Sequence, residues 1–436
     1  MNGRADGGFY WSLGATTVQA AYGASLFGVV GARYGLEDLG HFVWVFNAWL
    51  LCIVAVGFGN HQTAILMAAD PDLPQDQVRR AGLAAGVRAG AVGAAALAAL
   101  GGVWLVLGDS RGGLLLILSA GVVPAVMGRF LSGCLIGTQN VVRFAQWSVA
   151  KAVLTVIAVV LAAWPGLSLA LLCGLMAGAE GLGLLALLRL YPGEKVSGVT
   201  PAVVCHYRSL GRKMGLSTVL AEAIARVDVL VVGMVLGTTA TGLYGLLTSF
   251  ARLPLLLSQS HLRLVVPALV AAWREDDLAS ALCVLERAVA HITRCLVAGI
   301  LLLAVAVPWA GRALAENGVD AEVTFVFMAL FGAFSVQAGL GSLGAMLTSW
   351  GRVGAQLVRQ ALFLCGLSVV VAVAAVTAGL PAVAVALLAA YSLYAVSAAF
   401  LIGRFFSAPQ VWRLFARWGA PLAAAVTVSL LVPLGG

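Results

Sequence analysis

Residues 358–402 read VRQALFLCGLSVVVAVAAVTAGLPAVAVALLAAYSLYAVSAAFLI, a stretch in which Arg359 is the single charged side chain. Each half is about 20 residues long, the length that a helix needs to cross a hydrocarbon core roughly 30 Å thick. Gly379 and Pro381 fall between the halves and interrupt the helical pattern. The stretch therefore predicts two transmembrane helices, at 358–378 and 381–402.

Comparable apolar runs recur from one end of the chain to the other. Of the 436 residues, 61% are hydrophobic and 10% are charged, whereas a soluble chain carries about 25% charged residues. The 52 glycines and the lack of sustained alternation favour packed helices over a transmembrane barrel. We therefore predict an all-α polytopic membrane protein with twelve core spans. They lie near 10–31, 41–62, 82–107, 113–135, 144–163, 167–188, 215–236, 241–268, 285–307, 324–347, 358–378 and 381–402.

The basic residues predict the orientation. Of the 26 Lys and Arg residues, 19 fall in the loops and flanks on the side of the N-terminus, three in the opposite loops and four within spans. Cytoplasmic loops carry an excess of Lys and Arg, so the N-terminus is predicted to be cytoplasmic. Because these charges are spread over many short loops, we interpret the net charge of +8 as topology. A nucleic-acid partner is not expected.

The outer loops are short, and the longest runs roughly from Pro308 to Val323. Membrane enzymes that join or transfer sugars usually carry a large external catalytic loop or a His/Asp constellation at a membrane face, and the sequence shows neither. The seven cysteines lie mostly in apolar runs without metal-ligand spacing. We therefore expect no enzyme activity, no catalytic residues, no cofactor and no metal.

A polar loop divides the chain into two halves. The predicted organisation is an N-terminal six-helix lobe at 1–190, a cytoplasmic inter-lobe loop at 191–214 and a C-terminal six-helix lobe at 215–403. Residues 404–436 form an amphipathic segment and a marginal apolar stretch, 419–434, that could be a thirteenth span. A glycine-bounded turn followed by an aromatic residue recurs in both halves, at Gly40–Phe42 and Gly242–Tyr244. Repeated halves are the usual plan of alternating-access transporters.

Ionisable residues inside spans mark candidate sites, because a charge at the helix centre costs about 2.5–3.5 kcal/mol on insertion scales. Arg226 and Arg252 lie at similar depth, roughly 15 Å from the outer ends of spans seven and eight. Gln259 and Arg263 share one face of span eight with Arg252. The candidates are Arg129, Glu180, Glu222, Arg226, Asp228, Arg252 and Arg263.

The arginines suit an anionic substrate, since guanidinium offers a planar fork of donors that matches phosphate oxygens. Alternatives stay open at this point. Glu222 and Arg226 have the i, i+4 spacing of an ordinary ion pair. Glu180 could be a proton-coupling carboxylate or a buried partner of Arg129, and Glu222 and Asp228 are further candidates for coupling. Arg263 and Arg129 lie near enough to span ends to extend their head groups to the interface.

Part of the sequence resembles a known family. Residues 226–237, RVDVLVVGMVLG, with Gly242-Leu243-Tyr244, resemble the seventh-helix signature of the bacterial polysaccharide and O-antigen flippases, and 264–269, LVVPAL, is similar to the end of their eighth helix. These proteins belong to the multidrug/oligosaccharidyl-lipid/polysaccharide exporter superfamily. The resemblance implies a V-shaped pair of six-helix bundles related by a pseudo-two-fold repeat.

The resemblance also implies a function. It indicates a multi-pass protein of the bacterial inner (plasma) membrane that flips undecaprenyl-pyrophosphate-linked oligosaccharide, an O-antigen or exopolysaccharide repeat unit, to the outer leaflet. Arg252, Arg226, Arg263 and Gln259 would then line the cavity for the pyrophosphate. The implied partners are the lipid-linked substrate, membrane lipids, a polysaccharide polymerase and a chain-length regulator. The alternative is a cation-coupled multidrug antiporter of the same superfamily, although the first helix carries Gln19 and Tyr22 and no acid.

Overall fold

The structure is a computed structural model, and its described residues form helices and turns with no strand among them. They build two compact units. Unit 1 comprises Met1–Gly233 with Gly237–Leu243, and unit 2 comprises Met234–Leu236 with Tyr244–Gly436. The described residues are 2–70, 72–138, 140–162, 164, 168–190, 199–256, 258, 269, 277–315, 321–349, 353–402, 419–424 and 426–427.

Unit 1 is built from nine helices of the described chain, the last of which reaches into unit 2. They are α1 (Asn2–Gly57), α2 (Asn60–Ala68), α3 (Gln75–Val106), α4 (Arg111–Ser119), α5 (Val122–Gly137), α6 (Val141–Ala162), α7 (Leu169–Leu190), α8 (Pro201–Ile224) and α9 (Val227–Val235).

Helix α1 contains two of the predicted spans, because the chain reverses at Gly35. This glycine has φ 86° and ψ 173°, a backbone conformation that side chains rarely allow. The ring of Phe27 lies 6.1 Å from that of Phe42 and 5.9 Å from that of Phe46. In a straight helix the residues would be more than about 20 Å apart. The two halves of α1 therefore pack side by side as a helical hairpin.

Helix α3 packs through a face of small residues. A Cβ atom on Gly82 would lie 2.0 Å from the ring of Phe130 on α5, and one on Gly90 would lie 2.9 Å from the Cα atom of Val123. Glycine is thus required where α3 and α5 approach most closely. Helices α4 and α5, which together match the predicted span 113–135, meet at an angle of 50°.

The region around the predicted inter-lobe loop differs from expectation. Residues 201–214 were predicted as loop, but they form the first part of α8. Pro201 is suited to the first turn of a helix, and Val203 and Tyr207 bury their side chains in a core with Phe130. The predicted span 215–236 is not one uninterrupted helix, because a turn at 225–226 separates α8 from α9. The two compact units divide after this turn, and the predicted division into two six-helix repeats stays a prediction.

Unit 2 contains α10 (Gly237–Ala251), whose first turns belong to unit 1, followed by α11 (Leu278–Ala315), α12 (Ala321–Ser349) and α13 (Val353–Ile402). Helix α13 corresponds to the two spans predicted from residues 358–402. Gly379 adopts φ 69° at the predicted break. The ring of Phe363 stacks on that of Tyr394 at 4.2 Å, whereas a straight helix would separate them by roughly 45 Å. The chain therefore reverses at Gly379, and α13 is a second helical hairpin.

The described part of the C-terminal stretch is helical and packs inside unit 2. Leu422 is 2% and Val426 5% exposed. A Cβ on Gly339 of α12 would meet Leu422 at 3.1 Å, and one on Gly332 would meet Val426 at 2.9 Å. The two glycines are seven residues apart and so lie on one face of α12, and their partners are four residues apart, so this face receives the segment. Whether 419–434 crosses the membrane stays a prediction.

Six helical segments of the described chain are long and apolar enough to cross a membrane, and the bent α4–α5 pair would make a seventh. Two of these segments lie in the hairpins α1 and α13, each of which accounts for two predicted spans. Large apolar side chains point outward from the six segments. Examples are Val106 on α3, which is 88% exposed, and Val376 on α13, which is 74% exposed. Such surfaces suit contact with lipid tails, as expected for a multi-pass membrane protein.

Candidate functional site

The predicted site residues lie in both units, and three of those in unit 1, Glu180, Glu222 and Arg226, form ion pairs. Arg226 occupies the turn between α8 and α9. Its Nε donates a hydrogen bond to Glu222 Oε1 at 2.8 Å, and its NH2 group contacts the same oxygen. Its NH1 group donates to Asn47 Oδ1 on α1 at 2.9 Å. The guanidinium group is therefore fixed between α8 and α1.

In this geometry Arg226 forms the ion pair with Glu222, and its role in binding a ligand stays a prediction. The i, i+4 partner Glu222 neutralises its charge within unit 1, and the two side chains are only 16% and 23% exposed. Asn47 itself is 4% exposed and donates from Nδ2 to the carbonyl of Val43 at 2.8 Å. Asn47 was not predicted as a site residue, and its position in an apolar helix was the available signal. The cluster joins the break between α8 and α9 to the hairpin α1.

Asp228 is fully buried in the first turn of α9. The backbone N–H groups at a helix N-terminus stabilise a negative charge there, which helps to explain a carboxylate at this depth.

Glu180 on α7 accepts a hydrogen bond from Lys151 Nζ on α6 at 2.8 Å. The sequence analysis considered Arg129 as its buried partner, and that pairing is wrong. Lys151 also lies 5.6 Å from the ring centre of Trp147, whose Nε1 donates to the Gly183 carbonyl at 3.0 Å. Because Gly183 carries no side chain, the lysine stem can lie across α7. The predicted span 144–163 already contained Lys151, but its charge was assigned to the cytoplasmic flank.

Arg252 in unit 2 follows the last residue of α10. Its guanidinium carbon lies 5.1 Å from the ring centre of Phe334 on α12, which is a cation–π contact. The helix is interrupted at Arg252, two residues before Pro254, and proline is a usual cause of such a break. Gln259 and Arg263, the other predicted members of this face, lie outside the described residues.

Unit 2 contains a second buried arginine that the sequence analysis placed at a cytoplasmic flank. Arg359 on α13 is 9% exposed. Its NH2 and Nε groups donate to Gln356 Oε1 at 2.9 and 3.2 Å, and NH1 donates to the Tyr394 carbonyl at 3.1 Å. The guanidinium carbon also lies 3.9 Å from the centre of the Tyr394 ring. The hairpin at Gly379 creates this environment, so the linear sequence did not reveal it.

Comparisons with known proteins identify the fold. No protein-family model and no curated protein matches the chain. It is similar to a multidrug resistance MATE family transporter of the MOP superfamily in the outward-facing conformation, at 14% identity and a TM-score of 0.69, over 93% of this chain and 95% of that one. It is also similar to a multidrug resistance MATE family transporter of the MOP superfamily in the inward-facing conformation, at 16% identity and a TM-score of 0.63, over 92% of this chain and 95% of that one.

A third solved structure is a MOP superfamily transporter from Pyrococcus furiosus, whose binding pocket is described as having a reverse polarity that suggests a different function. It is 15% identical with a TM-score of 0.67, over 93% of this chain and 95% of that chain. At such identities the likeness shows the fold. The chain therefore has the all-α fold of these MOP superfamily transporters, which confirms the predicted fold class.

Proposed function

We propose that this chain is a membrane transporter that moves its substrate by alternating access. The observation that carries this proposal is the similarity of fold over more than nine-tenths of the chain to transporters of the MOP superfamily. Structures of this fold are described in both outward-facing and inward-facing conformations. A fold that two such conformations share is suited to exposing one site to each side of the membrane in turn.

The similar structures are described as multidrug resistance transporters, which favours the predicted alternative, a cation-coupled multidrug antiporter, over the lipid-linked substrate. Unit 1 offers two carboxylates for coupling, Glu180 and Glu222, and each is held by a basic side chain. Protonation of either carboxylate would break its ion pair and release Lys151 or Arg226. A proton could thereby change how α6 packs on α7, or α8 on α1.

A transport assay tests this function. Full-length protein in proteoliposomes should expel a cationic fluorescent dye when a proton gradient is imposed. Glu180→Gln and Glu222→Gln should each reduce the rate at least tenfold if the carboxylates carry the coupling proton. The exposed carboxylate Glu37 supplies the control, and Glu37→Gln should transport normally. If the wild-type protein expels the dye at the same rate with and without the proton gradient, proton coupling is contradicted.

The second candidate is export of undecaprenyl-pyrophosphate-linked oligosaccharide. The observation that favours it is the resemblance of residues 226–244 to the seventh-helix signature of the flippases. A MOP superfamily transporter whose pocket polarity is described as reversed shows that this fold accommodates different charge patterns. For this candidate, Arg252 is the predicted pyrophosphate-binding residue of unit 2 that lies within the described part of the chain.

Deletion of the gene distinguishes the two candidates. A flippase predicts that lipid-linked repeat units accumulate on the cytoplasmic side, and that Arg252→Ala fails to restore export although the protein reaches the membrane. Arg294→Ala, which changes an exposed arginine of α11, should restore it. If deletion leaves lipid-linked intermediates at wild-type levels, this second candidate is wrong.

A further inference from the structure

Unit 1 contains a cavity of about 450 Å³ that the transport proposal does not use. It lies where the end of α1 and helices α2, α3 and α8 meet, and all of its lining residues belong to unit 1. Its volume is within the usual range for small-ligand sites. One wall is a row of alanines on α3, including Ala81, Ala85 and Ala89.

Buried polar groups line this cavity without hydrogen-bond partners in the described part of the chain. Thr63 is fully buried, and Asn60 and Tyr207 are each 8% exposed. The hydroxyl groups of Thr63 and Tyr207 and both polar atoms of the Asn60 amide have no hydrogen-bond partner among the described residues. Buried polar groups are nearly always hydrogen-bonded, so these groups need a partner that the surrounding helices do not supply.

The same cavity has a strongly positive lining. Arg80 and Arg88 on α3 and Arg208 and Arg212 on α8 line it, and none of the described lining residues is acidic. Arginines in a cytoplasmic loop would be explained by topology alone. The buried Thr63, Asn60 and Tyr207 groups in the same lining are not explained in that way. Hydrogen-bond donors in a lining that also carries four guanidinium groups suit a group that is both anionic and rich in acceptor oxygens.

Glycines lie next to two of these buried polar groups. A Cβ atom on Gly86 of α3 would lie 3.3 Å from Asn60 Nδ2, and one on Gly211 of α8 would lie 3.7 Å from Thr63 Oγ1. Burial raises the pKa of the Tyr207 hydroxyl, so this group is protonated and can donate a hydrogen bond at neutral pH. Asn60 and Thr63 provide two further donors.

We propose that this cavity binds a phosphate-bearing anionic ligand. The guanidinium groups of Arg80, Arg88, Arg208 and Arg212 pair with its charge, and Asn60, Thr63 and Tyr207 donate hydrogen bonds to its oxygens. The site concerns unit 1 alone and does not depend on which substrate is transported. The same chemistry is available from the head group of an anionic membrane lipid and from a soluble phosphate compound.

Binding to the purified full-length protein tests the site and distinguishes these sources. The lipid probes are phosphatidylglycerol and zwitterionic phosphatidylcholine, measured by native mass spectrometry. The soluble probe is inorganic pyrophosphate, measured by calorimetry. Preferential binding of phosphatidylglycerol supports a lipid ligand, and binding of pyrophosphate supports a soluble one. Failure of both anionic probes to bind would overturn the proposal.

Paired variants locate the binding. The double variant Arg80→Gln/Arg212→Gln should weaken binding of the anionic probe roughly tenfold or more. Arg189→Gln removes the charge of an exposed arginine at the end of α7, outside the cavity lining, and should leave affinity unchanged. If the control weakens binding as much as the double variant does, general electrostatic attraction accounts for the binding and the proposal fails.

Thr63→Val gives a second test that does not rely on charge. The replacement keeps the shape of the side chain and removes the hydroxyl group. We expect binding to fall several-fold, while the thermal midpoint of the ligand-free protein stays the same or rises, because an unsatisfied buried group is removed. A lower midpoint without ligand would show that the hydroxyl is bonded within the protein, and this would overturn its assigned role.

Discussion

At the scale of single residues, charge inside unit 1 is organised in pairs. Lys151 on α6 pairs with Glu180 on α7, and Arg226 in the turn after α8 pairs with Glu222 on α8. Each pair is partly shielded from solvent, so either member left alone would retain a poorly solvated charge. This explains how charged residues are tolerated in helices that are otherwise apolar.

The ion pair of Glu222 and Arg226 leads to a measurable prediction. Glu222→Gln should destabilise the protein by about 1–3 kcal/mol, because Arg226 loses a charged partner while remaining largely buried. The double variant Glu222→Gln/Arg226→Gln should lose less than the sum of the single variants. Thermal unfolding in detergent measures both. Additive losses would show that the two side chains do not stabilise one another.

A second residue-scale prediction concerns pH and the short turn between α3 and α4. Arg111 Nε donates to both oxygens of Asp109 at 3.0 and 2.9 Å, and its guanidinium carbon lies 4.8 Å from the ring centre of Trp104. The hydrogen bond from Arg111 lowers the pKa of the Asp109 carboxyl group. The pair therefore stabilises the fold above the usual Asp pKa, and this contribution disappears as the pH falls through the lowered value.

We expect Asp109→Asn to cost about 0.5–1 kcal/mol at neutral pH, since both side chains are partly exposed. The difference from the wild type should shrink once the pH falls below the lowered pKa. Unfolding midpoints measured between neutral and acidic pH test this. Asp72→Asn, at an exposed loop carboxylate, should cost little at any pH, and a cost equal to that of Asp109→Asn would contradict the pairing argument.

At the scale of elements, glycine decides how closely the helices of unit 1 pack. Gly90 of α3 faces the backbone of α5, whereas Gly102 of the same helix has no atom within 4 Å of an added Cβ. We expect Gly90→Ala to destabilise the protein by about 1–3 kcal/mol through overpacking. Gly102→Ala should be neutral or stabilising, because alanine favours the helix. Thermal unfolding of the matched pair tests the argument, and equal effects would contradict it.

The C-terminal segment of unit 2 gives a second prediction at this scale. Leu422 is buried against Gly339 of α12. Leu422→Ala should therefore cost about 2–5 kcal/mol. Leu393, which is 69% exposed on α13, is the control, and Leu393→Ala should cost much less. If unfolding temperatures fall equally in both variants, the segment is not part of the core of unit 2.

At the scale of the whole molecule, orientation follows from the distribution of basic residues rather than from packing. The positive-inside rule predicts a cytoplasmic N-terminus. A green fluorescent protein fused after Lys195, on the predicted cytoplasmic side, should therefore fluoresce. An alkaline phosphatase fused after Asn317, in the predicted outer loop, should be active, because this enzyme works only outside the cytoplasm. Exchanging the two reporters provides the control. The reverse pattern of activities would invert the predicted topology.

Much of the fold was determined by the sequence alone, because burial in lipid demands long apolar helices whatever their neighbours are. The runs at 358–378 and 381–402 and the break at Gly379 correspond to the hairpin α13. The i, i+4 pair of Glu222 and Arg226 was also predictable, since it depends only on helix geometry. Loop assignments were weaker, because the moderately polar residues 201–214 become helical by packing Val203 and Tyr207 into a core.

The tertiary structure decided which partner each charge takes and where a ligand can enter. Lys151 meets Glu180, and Arg359 meets the Tyr394 carbonyl, only because separate helices lie side by side. The cavity of unit 1 likewise exists because α2, α3 and α8 converge around Thr63 and Tyr207, which are more than a hundred residues apart in the chain. The sequence determines that helices form and span the membrane through local hydrophobicity. Contacts between distant residues depend on packing, which local patterns do not encode.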